Sequence, residues 1–351
     1  MAASLKTSGR GLRNRTGAEL QSDPAGAAPA GSGAAGRSGA RGALAYGAYR
    51  AAETVVRVVP HRLAYGLGAA LAGALVRLQP RRFAGLRDNL RHVLPETDEA
   101  TLRGVIRDNA RNLARCWVDV MEMSRRADSV SARVHPVNVE NMLRPLERGR
   151  GALCVSLHLG SWELGLAGWN HRFGRMAVLA EVLEPARLFE RVLAARGRLG
   201  VKVIPIDAAT MRRGDSATAR RIGASALREV YRTLRENGLV AVAIDRDITG
   251  TGQLFSFFGS DAPIPTGVVE VAMRSGAAIV PVVLFRTGAH HDQVIAPCHP
   301  EVAYDPQAPR DAEVRRVVGE LIGVLEEVIR AHPDQWHVLD PLWAGRNAAP
   351  A

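Results

Sequence analysis

The chain has 351 residues, 47% of them hydrophobic and only 5% aromatic, and carries a formal net charge of +11. That length suits one large domain or two small ones with an ample buried core, and the charge points to an acidic partner: nucleic acid, anionic lipid or a phosphorylated substrate. Only Lys6 and Lys202 are lysines among the 46 basic residues, and neither stands in a G-x-x-x-x-G-K-[ST] context, which excludes a P-loop nucleotide enzyme.

Residues 1–42 are Gly, Ala, Ser and Arg with almost no large apolar side chains. Such a segment cannot offset its ordering entropy by burial, which predicts a disordered tail. Its Gly31-Ser-Gly33-Ala-Ala-Gly36 run is a formal G-x-G-x-x-G, but no strand precedes it and no helix follows, so a dinucleotide site is not expected. It also lacks an apolar secretory h-region. From Ala43 the pattern turns helical, and Leu63 to Val76 carries no charge until Arg77. This run is shorter than the roughly 20 apolar residues that span a bilayer. Its arginine flanks, Arg57, Arg62, Arg77, Arg81 and Arg82, fit either helices lying on an anionic membrane or a core hairpin of a soluble domain.

A long amphipathic helix is predicted over 99–125, with Leu102, Ile106, Leu113, Trp117 and Met121 on its apolar face. Short apolar runs then appear at 152–157, 176–180, 201–206, 239–244 and 278–285. Helical stretches lie between them near 162–170, 185–199, 222–236 and 264–275, and a last one covers 311–331. This alternation predicts an α/β fold with a mainly parallel sheet flanked by helices. Residues 43–93 read as amphipathic membrane-docking helices, 94–343 as the α/β domain and 344–351 as a second disordered tail. Cys116, Cys154 and Cys298 are too scattered for a disulfide framework and read as buried thiols, which fits a reducing cytoplasm.

In such sheets ligands bind beyond the carboxyl ends of the strands. The first strand is followed by His158 and, five residues on, Glu163; the fourth by Asp245-Arg246-Asp247. The H-x4-E spacing recurs at His135 and Glu140, but His135 precedes a proline and lies before any strand of the expected sheet. On one continuous helix residues five apart point about 140° from each other. With His158 in a turn and Glu163 in the first helical turn, the carboxylate is expected to reach back to the imidazole, the arrangement acyl-transfer chemistry uses. Phe255, Phe257 and Phe258 could line a groove or anchor the core, and Trp162 and Trp169 read first as packing residues. His290, His291, Asp292, Cys298 and His299 look metal-like, but their place between two expected strands suggests an exposed hairpin, and no metal is expected. No G-x-S-x-G is present, which argues against an α/β-hydrolase esterase.

The block SLHLGSWELG resembles the signature of the bacterial acyltransferases that add late acyl chains to lipid A, and still more that of their relatives, the phosphatidylinositol mannoside acyltransferases of actinobacteria. Supporting blocks follow at 86–95 (LRDNLRHVLP), 181–205, 243–267 and 334–343 (DQWHVLDPLW), so the resemblance spans roughly residues 85–343. The chain departs from the family pattern between Asp207 and Ala224, where MRRGDSATARR looks like an insertion.

The resemblance implies a glycerolipid-acyltransferase-like fold with N-terminal interfacial helices. It implies a membrane-associated O-acyltransferase moving a fatty acyl group from acyl-CoA or acyl carrier protein to a hydroxyl of a glycolipid, of the phosphatidylinositol mannoside type. Carried over by position, His158 is the catalytic histidine, Glu163 the acid of the H-x4-[DE] motif, and Asp245 and Asp247 fall in the second acidic block. Glu181 and Arg196 match a glutamate and an arginine lining the site. The expected mechanism is direct transfer: His158 takes the acceptor proton as general base, the oxygen attacks the thioester carbonyl and the thiol leaves, with no covalent intermediate. Glu163 or Asp245 orients the imidazole, and Arg196 or Arg246 holds a phosphate. No cofactor beyond the donor is expected. Alternatives are a lysophospholipid or lipid A-type acyltransferase, or an acyl-thioester hydrolase. The charge favours a membrane over nucleic acid as partner. Residues 1–42 carry +4 and 43–93 carry +6, leaving +1 for 94–351. A monomer at the cytoplasmic face of the cell membrane is expected.

Overall fold

The computed structural model describes residues 39–123 and 132–343. Four helices open it: α1 (Gly39–Val58), α2 (His61–Leu78), α3 (Ala84–Val93) and α4 (Glu99–Met123). The expected tails at 1–42 and 344–351 lie outside the described residues, as does the Gly31–Gly36 motif, except that residues 39–42 already belong to α1. Strand β1 (Val134–Val137) and helix α5 (Glu140–Glu147) follow.

The alternating part then runs β2 (Ala152–Ser156), α6 (Trp162–Phe173), β3 (Met176–Glu181), α7 (Ala186–Arg198) and β4 (Lys202–Ile206). Helix α8 (Ala208–Arg213) and helix α9 (Ser216–Arg235) come next, capped by the Asp207 and Asp215 carboxylates, which accept from the amides of Thr210 and Thr218. The segment read as an insertion therefore builds α8 and the first part of α9. Strand β5 (Leu239–Ala243), hairpin β6 (Gln253–Phe257) and β7 (Ser260–Ile264), helix α10 (Gly267–Ser275) and strand β8 (Ala278–Pro281) complete the central unit. Strands β9 (Phe285–Thr287) and β10 (Gln293–Pro297), helix α11 (Arg310–Ala331) and a 3-10 turn at Pro333–Gln335 follow.

Five strands form one parallel sheet in the order β4-β3-β5-β2-β8. Each lies where an apolar run predicts it, except that the 278–285 run is split: β8 ends at Pro281, and Phe285 starts β9 of a separate sheet, β1-β10-β9. His135 sits on β1 of that sheet, away from the β2 edge, and its Nε2 meets Gln293 Oε1 at 2.7 Å.

The sheet's two faces differ in kind. On one, Leu153, Val155, Val240 and Ile279 pack against α9, α10 and α11 in the main core. On the other, β2 and β5 present Ala152, Cys154 and Ser156, and Leu239, Ala241 and Ala243. Strand side chains alternate between faces, so ALCVSL and LVAVAI put their small residues mostly on the second face. Helices α6 and α7 cover that face, with α4 packed over them. Because the small side chains do not fill the gap, a cavity of about 570 Å³ remains there.

Helix α2 packs along α4, and Gly68 comes within van der Waals reach of Val118 and Ala114. Exposed apolar side chains stand on α1 and α2: Leu44, Val55 and Val58 on the first and Leu63, Leu67, Leu71 and Leu78 on the second. Arg57, Arg62, Arg77, Arg81 and Arg82 are exposed around them. Among the described residues no helix is long and apolar enough to cross a membrane.

Candidate active site

The site forms where β2 and β5 end. After β2 the chain turns sharply at Gly160, whose φ is +60°. A Cβ there would run into the Leu284 carbonyl, so only glycine allows the turn that leaves His158 at the sheet edge. The His158 ring lines the cavity, and its Nδ1 lies 2.8 Å from Asp245 Oδ1. The second carboxylate oxygen accepts the His158 backbone N–H at 2.9 Å and the Trp336 indole N–H at 2.9 Å. Asp245 is fully buried. Burial alone would raise its pKa, but the imidazole and the three donated hydrogen bonds hold it below the usual carboxylate range. An ionised Asp245 makes Nδ1 of His158 the protonated nitrogen, which leaves a lone pair on Nε2 for the cavity.

Glu163 does not reach the imidazole, contrary to the sequence expectation. Its buried carboxylate takes Nε of Arg196 at 3.1 Å and the neighbouring Nη2. The cause is helical phase: α6 begins at Trp162, so Glu163 already points across to α7, which carries Arg196. Glu163 also accepts the Trp162 indole N–H at 3.1 Å. The acid thus meets the histidine only through a ring. Arg196, buried on α7, lines the cavity and spends Nε and Nη2 on Glu163.

Arg246 sits at the cavity rim, bonded through Nη2 to Glu181 at the end of β3 and 3.5 Å from Asp340 through Nη1. Asp247 lines the cavity, but its carboxylate closes its own loop. It accepts the amides of Thr249, Gly250 and Gly252 and the Thr249 hydroxyl. Asp247 thus shapes the loop at the cavity edge through these bonds.

Below the rim the cavity is apolar. Trp117, Trp162, Leu166, Trp169, Val178 and Ala241 are among its walls, so both tryptophans of α6 serve the cavity and not packing alone. Phe255, Phe257 and Phe258 do not line it. They belong to the core or its edge, with Phe257 and Phe258 against Trp336 and Trp343. Of the metal-like group, Asp292 is tied to Nε2 of His61 and Nε of Arg62, and Cys298 is buried in the apolar core.

Two features of the site were not among the residues the sequence nominated for it. The first is the C-terminal strap, residues 333–343, which crosses the back of the His158 turn. Gln335 O accepts the Gly160 N–H at 2.9 Å, and His337 N–H donates to His158 O at 2.7 Å. Three asparagines clamp the strap. Asn89 donates to the carbonyls of Val338 and Asp340, Asn109 to those of Pro333 and Trp336, and Asn112 to that of Asp334. His337 is fully buried on it, with Nδ1 3.0 Å from Asn109 Oδ1; burial, Arg286 and His158 push its pKa down to about 3.

The second feature is Asp119, buried in the middle of α4. Its carboxylate takes the Ser161 hydroxyl at 2.7 Å, Arg133 at 3.2 Å, and Arg286 and the Tyr65 hydroxyl. Helix α2, helix α4, β9 and the turn after His158 therefore meet at one carboxylate. An acid in the apolar stretch CWVDVM is the signal that marks such a hub.

A family model described as bacterial lipid A biosynthesis acyltransferase matches residues 38–344. Among curated proteins, the chain is 25% identical to a phosphatidylinositol mannoside acyltransferase of Mycolicibacterium smegmatis, over 84% of this chain and 90% of that protein. It is 26% identical to one of Mycobacterium tuberculosis, over 74% of this chain and 76% of that protein. Among solved structures, the 1-acyl-sn-glycerophosphate (LPA) acyltransferase PlsC of Thermotoga maritima superposes with a TM-score of 0.36. The two are 15% identical, over 78% of this chain and all of that one.

Proposed function

Since the chain belongs to the bacterial lipid A biosynthesis acyltransferase family and is an O-acyltransferase of lipid biosynthesis, we propose that it transfers a fatty acyl chain from a thioester donor to a hydroxyl of a phosphatidylinositol mannoside-type glycolipid. The observation that carries this reading is the His158–Asp245 pair at the mouth of the apolar cavity. The cavity takes the acyl chain of acyl-CoA or acyl carrier protein, with the thioester carbonyl near His158. Nε2 accepts the proton of the acceptor hydroxyl as its oxygen attacks the carbonyl carbon; the tetrahedral adduct collapses and the thiolate leaves, reprotonated by the imidazolium. Asp245 holds the imidazole and stabilises its transient charge. No cofactor takes part. Arg246, at the rim with Glu181, meets a phosphate of the donor or acceptor.

The acceptor assignment draws on the two mycobacterial relatives. Membrane association draws on the exposed leucines of α2 and the arginines beside them, which suit an anionic lipid surface. The enzyme works there as a monomer, at the cytoplasmic face, where acyl thioesters are made.

The test is a reaction of purified protein with palmitoyl-CoA and a panel of phosphatidylinositol mannosides, lipid A precursors and lysophospholipids, with products identified by mass spectrometry. Acylated phosphatidylinositol mannoside from the wild type, and none from His158→Ala, is the expected result. Free fatty acid with no acylated lipid, or equal product from both proteins, overturns the reading.

A further inference from the structure

We propose that Trp336, on the C-terminal strap, is a positioning residue of the acyl transfer: its indole N–H fixes the Asp245 carboxylate in the plane that meets His158 Nδ1. The inference rests on the His158–Asp245 reading of the site and adds the group that makes that pair rigid.

Asp245 receives three donors. Two come from His158 itself, the ring nitrogen on Oδ1 and the backbone amide on Oδ2. The third is Trp336 Nε1, 2.9 Å from Oδ2. Among the described residues it alone comes from outside the histidine, so it is the donor that can hold the carboxylate when the imidazole changes charge or moves. Trp336 is completely buried, and a buried indole N–H needs a fixed partner.

The ring is itself immobilised. It lies 6.2 Å from the Phe257 ring at 83° and 6.4 Å from the Phe258 ring. Its backbone forms an antiparallel bridge with Leu159, the residue after the catalytic histidine. Asn109 accordingly clamps the Trp336 carbonyl at 2.7 Å. One short segment thus fixes the main chain of His158 and the side chain of Asp245 together. Packing alone would be met by any large ring; a donor aimed at the carboxylate would not.

Trp336→Phe keeps the ring and deletes the N–H. It is compared with Phe257→Leu, which perturbs the same packing without touching Asp245, and with Asp245→Asn alone and combined with W336F. Steady-state kinetics with palmitoyl-CoA and the glycolipid acceptor are read across pH, beside thermal melts. For W336F, kcat falls about 10- to 100-fold with KM for the donor within about twofold, and the acid limb of the kcat profile moves to higher pH, because a carboxylate with one donor fewer is protonated sooner. F257L lowers the melting temperature and leaves the limb in place. In the Asp245→Asn background W336F costs less than about twofold further, since both changes break one unit.

Wild-type kcat with an unmoved limb in W336F overturns the proposal. So does a limb shift of the same size in F257L, or full additivity with Asp245→Asn. Wild-type turnover of Asp245→Asn overturns the His158–Asp245 pair itself, and this inference with it. Should W336F not fold, benzothienylalanine at position 336, of indole shape but without the N–H, takes its place under the same criteria.

Discussion

The Trp162 indole stands edge-on to the His158 imidazole, with centroids 5.7 Å apart and planes at 74°. The same indole donates to Glu163, which is locked onto Arg196. The acid of the H-x4-E motif therefore acts on the histidine at one remove, by holding the ring that packs against it.

Glu163→Gln leaves the Arg196 guanidinium buried without its counter-charge. Breaking a buried pair in this way costs about 3–5 kcal/mol, which urea melts will show. Replacing both residues by methionine restores most of that stability, because a buried pair contributes little net over an apolar one. Turnover stays low in the double variant, since Trp162 has lost its acceptor. Full recovery of kcat in the double variant would sink the idea.

His337 makes stability depend on pH. Its folded pKa of about 3 lies below the ordinary histidine value of about 6.5, so the unfolded chain binds the proton first. Stability is therefore complete above about pH 6.5 and declines as pH falls from there toward 3, by up to about 1.4 kcal/mol per unit. His337→Asn removes this slope. Urea melts at intervals over that window compare the two proteins, and parallel curves would refute the assignment.

Ala241 lines the cavity two residues before β5 ends, about 7 Å back along the strand from the edge where His158 and Asp245 meet. Ala241→Leu fills that part. The expected result is a preference shifted toward shorter acyl donors, with kcat/KM for the longest chains down at least about tenfold relative to short ones, or about 1.4 kcal/mol of lost transition-state stabilisation. A uniform loss for all chain lengths would show that the chain does not run there.

Arg81 and Arg82 stand exposed beyond the end of α2. Removing both charges, as Gln, costs about 1 kcal/mol each at an anionic surface, or roughly 30-fold in vesicle affinity. Sedimentation with phosphatidylglycerol vesicles should show the loss, and added salt should narrow it. Neutral phosphatidylcholine vesicles should bind both proteins alike. Unchanged binding to the anionic vesicles would place the lipid contact elsewhere.

Legibility followed the range of the interactions. ALCVSL and LVAVAI declare themselves as strands because they are short, apolar and bounded by turns, and His158 and Asp245 follow from where those strands stop. Strands β1 and β7, reading VHPV and SDAPI, carry proline or charge and depend on partners far along the chain. Glu163 stands in the first turn of its helix, as the sequence implies, but which neighbour a first-turn carboxylate meets is set by what packs beside it, and Arg196 on α7 lies 33 positions away in the chain. The cavity was present as alternation of small and large residues within the strands, a pattern that marks depth only once the covering helices are known. The strap had no periodicity at all. Its traces in the sequence are the DQWHVLDPLW block, which carries the resemblance without placing the segment at the site, and the pair Asn109 and Asn112, buried amides three residues apart on α4.

Because the strap follows the rest of the site along the chain, synthesis imposes an order on the site's assembly. Trp336 follows Asp245 by 91 positions, which at about 5–20 residues per second is a delay of roughly 5 to 20 seconds. Helices α1 and α2 are complete long before that. His158 and Asp245 are therefore both synthesised before Trp336, the residue that bonds to Asp245 from the strap. The pair at the centre of the site is completed by a segment made well after it.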